Sequence, residues 1–443
     1  MKMKKIVALA ASAVMALSLA ACGGSSSTGT AESKAETAAE SAGTAAETTG
    51  TKVDKSKLKV GFIFLHDENS TYDLNFINAA KTAAKDLGLS DDQIVLKTNV
   101  PEGQECYDTA ADLADEGCNI VFADSFGHED YMIQAAKEFP NVQFCHATGT
   151  KAHTEGLDNY HNAFASIYEG RYLAGVAAGE KLNSMIKEGK IKEDEAKIGY
   201  VGAFTYAEVI SGYTSFFLGA RSICPSATME VTFTGSWYDE TAEKEAANKL
   251  ISDKCVLISQ HADSMGAPTA CETAGVPDVS YNGSTVDACP NTYIISSRID
   301  WAPYYEYAIG AVIDGQKIDA DWVGDLKTKS VQLTDLNDKA AAEGTQDKID
   351  EAMKGLEDGS IHVFDTSTFT VTVDESKKLN LNAKVDDKGH LTSYMADVDT
   401  DEAYKGDTEA VSDGYFHESE YRSAPYFDVQ IDGITLLDTN FGS

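Results

Sequence analysis

The chain has 443 residues, room for more than one core at roughly 100–200 residues per domain. Its 36 Lys and Arg against 71 Asp and Glu leave a formal net charge of −35, and so acidic a surface repels phosphate backbones and anionic headgroups, which excludes a general nucleic-acid or membrane-surface binder. An apolar content of 43% with 9% aromatics is too rich for a disordered chain, and eight cysteines are too sparse for a disulfide scaffold.

Lys2, Lys4 and Lys5 precede an apolar run from Ile6 to Ala21 that is too short for a stable span of roughly 20 residues. It reads as a secretory signal. The run ends Leu19-Ala20-Ala21-Cys22, which resembles a bacterial lipobox, so Cys22 is expected to carry lipid and to tether the protein outside the cytoplasmic membrane. An ordinary signal-cleavage site with an incidental cysteine is the alternative. Residues 23–57 are mostly Gly, Ser, Thr, Ala, Glu and Lys and cannot bury a core; they read as a flexible spacer. The other seven cysteines contain no C-x-x-C pair and sit beside strand-like runs, as small buried hydrophobes do.

From Lys57 the pattern alternates. KLKVGFIFL (57–65) predicts a strand and LNFINAAKTAAKDLG (74–88) a helix ending at Gly88. QIVLKT, a helix near 104–116, NIVFAD, a helix near 129–138 and NVQFCHA continue a βαβα order with parallel pairing. The order restarts after Asn162 with EGRYLAGVAAGEKLNSMIK (helix), KIGYVG (strand), EVISGYTSFFLGAR (helix) and TMEVTFTGSW (strand). TAEKEAANKLI, CVLISQH, SMGAPTACETAG and VSYNG extend it as helix, strand, helix, strand. Two doubly wound sheets in tandem place a ligand at the carboxyl ends of both strand sets, in the cleft between lobes. From about 331 the chain changes character, with strand candidates IHVF, FTVTV and YFDVQIDGITLL and an acidic stretch at 386–409.

An enzyme needs a chemical constellation, and the standard ones are missing: no G-x-G-x-x-G after a strand, no Walker A loop, no G-x-S-x-G elbow. HESEY (417–421) lacks the second histidine of H-E-x-x-H and reads as a surface loop. Asp397, Asp399 and Asp401 have EF-hand-like spacing, but Glu402 replaces the turn glycine and Thr408 the bidentate Glu, so a solvated loop is expected there. No metal, cofactor or catalytic residue is assigned.

SFG (125–127), FCHATG (144–149), YEGRYLAGVAAG (168–179), KIGYV (197–201), EVI with LGAR (208–210, 218–221), GSWYD (235–239), QHADS (260–264) and WAPYY (301–305) resemble the basic membrane protein family of ABC-transporter substrate-binding lipoproteins. The likeness includes its purine-nucleoside receptors and is closest to a branch associated with purine bases; it covers about 58–330, and the tail beyond about 365 departs from it. It implies a type I periplasmic-binding fold, two Rossmann-like lobes joined by three crossover strands near 161–167, 292–298 and 361–368. The lobes are then 58–164 with 292–330, and 165–291 with 331–443. It also implies a small purine-like ligand and, as partners, an ABC permease and its ATPase.

By the same resemblance, Tyr72 matches an aromatic after the first strand and Asp73 the neighbouring polar position. Ser125 and Phe126, then Phe204 and Trp237, supply candidate ring and edge contacts. Gln260, His261 and Asp263 can exchange hydrogen bonds with a ligand. Asn282 replaces the family's ribose-binding Asp, and Asp300, followed by Trp301, stands where the family's Lys follows the crossover. A cleft that exchanges a cation for a carboxylate disfavours phosphate, so an uncharged base or nucleoside is expected, with Trp301 tilting the choice toward the base. Asp263 and Asp300 also fit helix N-caps, and Glu208 reads as a first-turn carboxylate rather than a ligand contact. Arg171 and Arg221 are expected to pair with acids, and His66, His128 and His146 to be structural. A lipoprotein that senses its ligand for a signalling partner, a receptor for a cationic ring compound or quaternary amine, and an extracellular hydrolase remain as alternatives.

Overall fold

The computed structural model describes residues 52–398 and 408–438; Cys22, its leader, Asp399 and Asp401 lie outside the described residues. The N-terminal lobe begins with β1 (Val60–Ile63), α1 (Thr71–Asp86), β2 (Ile94–Lys97), α2 (Gln104–Asp115) and β3 (Ile120–Ala123). It continues with α3 (Glu129–Glu138), β4 (Gln143–Ala147), the short α4 (Ala152–Glu155) and β5 (Tyr160–Ala165). The strands VGFI and IVFA are buried throughout, because helices cover both faces of a parallel sheet.

The chain then crosses into the C-terminal lobe: α5 (Ile167–Lys187), β6 (Lys197–Gly202), α6 (Ala207–Ile223), β7 (Thr228–Phe233), α7 (Glu240–Ser252), β8 (Leu257–Gln260), α8 (Gly266–Ala274), β9 (Asp278–Tyr281) and β10 (Tyr293–Ile299). It returns for α9 (Ala302–Asp314) and β11 (Asp321–Gly324), and crosses a last time to β12 (Val331–Leu333) and α10 (Thr345–Asp358). The tail adds β13 (Ala383–Val385), β14 (Leu391–Ala396), β15 (Thr408–Glu409), β16 (Val411–Ser412), β17 (Tyr415–Phe416) and β18 (Ile434–Leu436).

Strand order is β11-β5-β4-β3-β1-β2 in the first sheet and β12-β10-β9-β8-β6-β7-β18 in the second. All pairings in both are parallel except β12 against β10. This is the two-lobed, doubly wound architecture expected from the sequence.

Two boundaries are corrected. The 292–298 segment, expected in the N-terminal lobe, is β10 of the C-terminal sheet, where it pairs with β9 and β12; the crossing follows it at Asp300 and Trp301. The third crossing is not 361–368 but the turn after β11, because Val331–Leu333 already pairs in the second sheet. Asp300 N–H donates to Ser330 O (2.7 Å), so the second and third crossings run side by side, and Ser166 N–H donates to Gly324 O (2.7 Å) beside the first.

The tail belongs to the C-terminal lobe. IHVF and FTVTV form no regular strand; they contribute isolated bridges at Asp365 and Val371. Val363, Phe364, Phe369 and Val371 are nonetheless buried with Tyr213, Phe216 and Phe427 in one core. HESEY is no surface loop: His417, Glu418 and Ser419 are buried, with His417 bonded to Ser412 Oγ (2.7 Å) and to Glu420. All seven described cysteines are buried and free.

Candidate functional site

Loops at the carboxyl ends of strands from both sheets meet around one narrow cavity between the lobes, the place where doubly wound sheets hold a ligand. The N-terminal lobe supplies Leu65 and His66 after β1, Tyr72 and Asp73 on α1, Ser125 and Phe126 after β3, and Thr148 after β4. The C-terminal lobe supplies Glu208 on α6, Trp237 after β7, His261 and Asp263 after β8, and Tyr281 and Asn282 at the end of β9. The lobes touch at its rim. Thr71 donates from both N–H and Oγ1 to Asp263 O (3.2 Å each), and Asn75 Nδ2 donates to Asn282 O (2.5 Å).

Each polar wall has a local cause. Ser70 caps α1, and Asp73 in the first turn reaches back to accept from His66 N (2.8 Å) and Ser70 Oγ (2.6 Å). Burial opposes its ionisation, but the hydrogen bonds from His66 and Ser70 hold its pKa below the ordinary value. Behind it, burial and the charge of Asp73 push the pKa of the wholly buried Asp124 well above its ordinary value. Asp263 is likewise raised, by burial first and then by Glu243 and Asp73, and it accepts from Asn282 Nδ2 (2.8 Å). Asn282 itself sits at φ 66, a left-handed conformation tolerated by Asn and held here by its N–H bond to Ser297 O (2.9 Å). His261 lies between Tyr200 Oη (3.3 Å from Nδ1) and Glu208 Oε1 (3.4 Å from Nε2), and burial lowers its pKa. Among the described residues no lysine or arginine lines the cavity.

Of the residues expected to meet a ligand, Tyr72, Asp73, Ser125, Phe126, Trp237, His261, Asp263 and Asn282 are brought together here. Four are not. Phe204 packs on Trp237 (4.9 Å) and Tyr206 (5.2 Å), behind the lining. Gln260 is fully buried and donates to Ala262 O (2.7 Å), holding the loop after β8. Asp300 caps the start of α9 through Ala302 N (3.1 Å) and accepts from Gln332 Nε2 (3.1 Å). Trp301 is stacked on Phe76 (4.4 Å) in the core of the N-terminal lobe. Its ring points away from the cavity and fills no ribose position there.

The wall also holds Leu65, His66, Thr148, Glu208 and Tyr281, none of them expected as ligand contacts. Glu208 is a first-turn residue as expected, but that turn faces the cleft, since helices of a doubly wound sheet start at the carboxyl ends of its strands. Arg171, expected to pair with an acid, is held instead by uncharged groups: Tyr200 Oη (2.8 Å), Ser259 Oγ (3.2 Å) and the carbonyls of Ser280 and Gln260 (3.3 Å each).

A cleft of this kind, closed by two doubly wound lobes around a small cavity, defines a solute-binding receptor. Residues 67–365 match the family model described as "ABC transporter substrate-binding protein PnrA-like", and the chain belongs to this family, Bmp. A purine-binding protein of Brucella abortus (strain 2308) is 32% identical over 348 residues, covering 75% of this chain and 94% of that one. A Haloferax volcanii protein, provisionally named as an ABC-transporter glucose-binding protein, is 32% identical over 258 residues, covering 58% of this chain and 62% of its own length. In fold, the chain is similar to an ABC-transporter solute-binding protein of Aeropyrum pernix K1 (TM-score 0.58, 16% identity, 72% of this chain and 95% of that one). The family is one of extracytoplasmic solute receptors rather than enzymes, which implies a small-molecule ligand and transporter partners. Among the described residues no helix is long and apolar enough to cross a membrane, and no group of side chains is arranged to hold a metal ion.

Proposed function

We propose that this receptor captures a purine-type base or nucleoside between its lobes and delivers it to an ABC permease, tethered to the outer face of the cytoplasmic membrane by lipid on Cys22. The observation that carries the reading is the composition of the cavity wall: rings from both lobes (Tyr72, Phe126, Trp237, Tyr281) beside polar groups that pair with N–H and ring nitrogen (Asp73, Glu208, Asp263, His261, Asn282), with no cation. Stacking on such rings contributes roughly 1–3 kcal/mol per base. A phosphate would meet the Asp73 and Glu208 carboxylates without a counter-charge, at a cost set by desolvation. The Brucella relative's purine name supports the reading.

The test is calorimetry on ligand-stripped protein with adenine, adenosine, AMP and glucose, paired with mass spectrometry of whatever the purified protein carries. Adenine or adenosine should bind far more tightly than AMP, and glucose should not bind. Preferred binding of glucose or AMP would overturn the reading. For the anchor, Cys22→Ala should abolish incorporation of a radioactive fatty acid, and continued labelling would rule it out.

A further inference from the structure

The cavity wall in the C-terminal lobe is joined to a buried cation. Arg171 on α5 is fully buried, its guanidinium over the rings of Tyr281 (4.8 Å), Phe216 (5.2 Å) and Tyr200 (5.5 Å). Its Nη2 donates to Tyr200 Oη (2.8 Å), that hydroxyl lies 3.3 Å from His261 Nδ1, and His261 Nε2 lies 3.4 Å from Glu208 Oε1 in the cavity.

The direction of every proton in this chain follows from chemistry. A guanidinium only donates, so Tyr200 oxygen is the acceptor toward Arg171, and the acceptor that lies within reach of its buried hydroxyl proton is His261 Nδ1. That nitrogen is then bare. The imidazole is neutral, because burial, with the Arg171 charge adding to it, lowers its pKa against the pull of Glu208. Its one proton is on Nε2, facing the carboxylate. The ring packs beside Gly212 of α6, where an added Cβ would stand 2.7 Å from Nδ1, and its centroid lies 4.6 Å from that of the Tyr281 ring.

We propose that Arg171 and Tyr200 are positioning residues for ligand recognition: they lock His261 in its Nε2–H tautomer, which pins Glu208 by one oxygen and leaves the carboxylate as a pure acceptor toward the cavity. The group a ligand presents at that wall must therefore be an N–H or O–H donor, and a ligand offering only an acceptor there is rejected because two lone pairs meet. The inference rests on the cavity being the ligand site.

Two measurements test it. Long-range ¹H–¹⁵N correlations on histidine-labelled, ligand-free protein at neutral pH should show His261 protonated at Nε2 and bare at Nδ1. A proton on Nδ1, or on both nitrogens, overturns the relay whether or not any purine binds. Tyr200→Phe keeps the ring contacts to Tyr213 and Phe216 while removing the hydroxyl. With adenine as probe, it should weaken binding about tenfold, and in a cycle with Glu208→Gln most of that loss should vanish. Additive losses would show that Tyr200 merely fills space. If adenine fails to bind, the purine reading falls and the tautomer alone decides the relay.

Discussion

Asp300 and Trp301 illustrate how a residue's neighbours in space override its place in a motif. They follow the crossing strand, where a receptor of this family is expected to hold its ligand, yet one caps α9 and the other stacks on Phe76. Asp300 is partly exposed, with Arg298 Nη2 3.7 Å away and Gln332 Nε2 at 3.1 Å, so its work is local. Asp300→Ala is expected to leave ligand affinity within twofold of wild type. Stability should fall by about 0.5–2 kcal/mol, the ordinary range for a lost cap, as read by urea titration. A large loss of affinity with unchanged stability would return Asp300 to the site.

At the level of elements, the C-terminal lobe depends on how closely α5 and α6 approach. Tyr172–Gly179 reads YLAGVAAG, a stretch of α5 without a charged residue, and all eight of its residues are buried. A Cβ added to Gly219 on α6 would overlap the backbone carbonyl of Tyr172 on α5. Gly219→Ala favours the helix by roughly 1 kcal/mol in propensity, but it must force the two backbones apart, an overpacking cost of about 1–3 kcal/mol or more. Net destabilisation is expected, measured by chemical denaturation. A stabilised variant would show that the helices pack less closely than described. Since Arg171 stands on α5 and connects to His261 through Tyr200 of β6, the same variant should also weaken ligand binding.

Across the whole molecule, the family match ends at residue 365, yet the lobe does not. Phe369, Val371, Leu391, Phe416, Phe427 and Ile431 are buried in the same core as Phe216 and Val231, and β18 pairs with β7 at the edge of the second sheet. The tail also reaches the other lobe, where Ser423 N–H donates to Asp321 Oδ2 (2.9 Å). A chain stopped after Asp365 should therefore expose apolar surface, bind ANS and lose cooperative unfolding. Cooperative unfolding of that truncated chain at the wild-type midpoint would mean the tail is an appendage.

The alternation of apolar strand runs with amphipathic helices was legible in the sequence because both signals are local: a buried parallel strand needs a continuous apolar run, and a covering helix needs its 3.6-residue stripe. The same logic located the cleft, since a doubly wound sheet opens it at its strand ends, whereas the individual side chains there were singled out by the resemblance to the family. Local signals say nothing about which lobe a crossing strand joins, and β10 went to the second sheet because its partners were there. Nor do they say where a loop side chain turns: Trp301 faces a core, while Glu208, an unremarkable first-turn carboxylate in sequence, faces the ligand cavity. The tail's packing was hidden for a related reason, because segments such as IHVF bury part of their side chains, Val363 and Phe364, without forming the ladder that their pattern predicts. Those choices are made by contacts between residues far apart in the chain, where the fit of one surface against another, rather than periodicity, sets the lowest free energy.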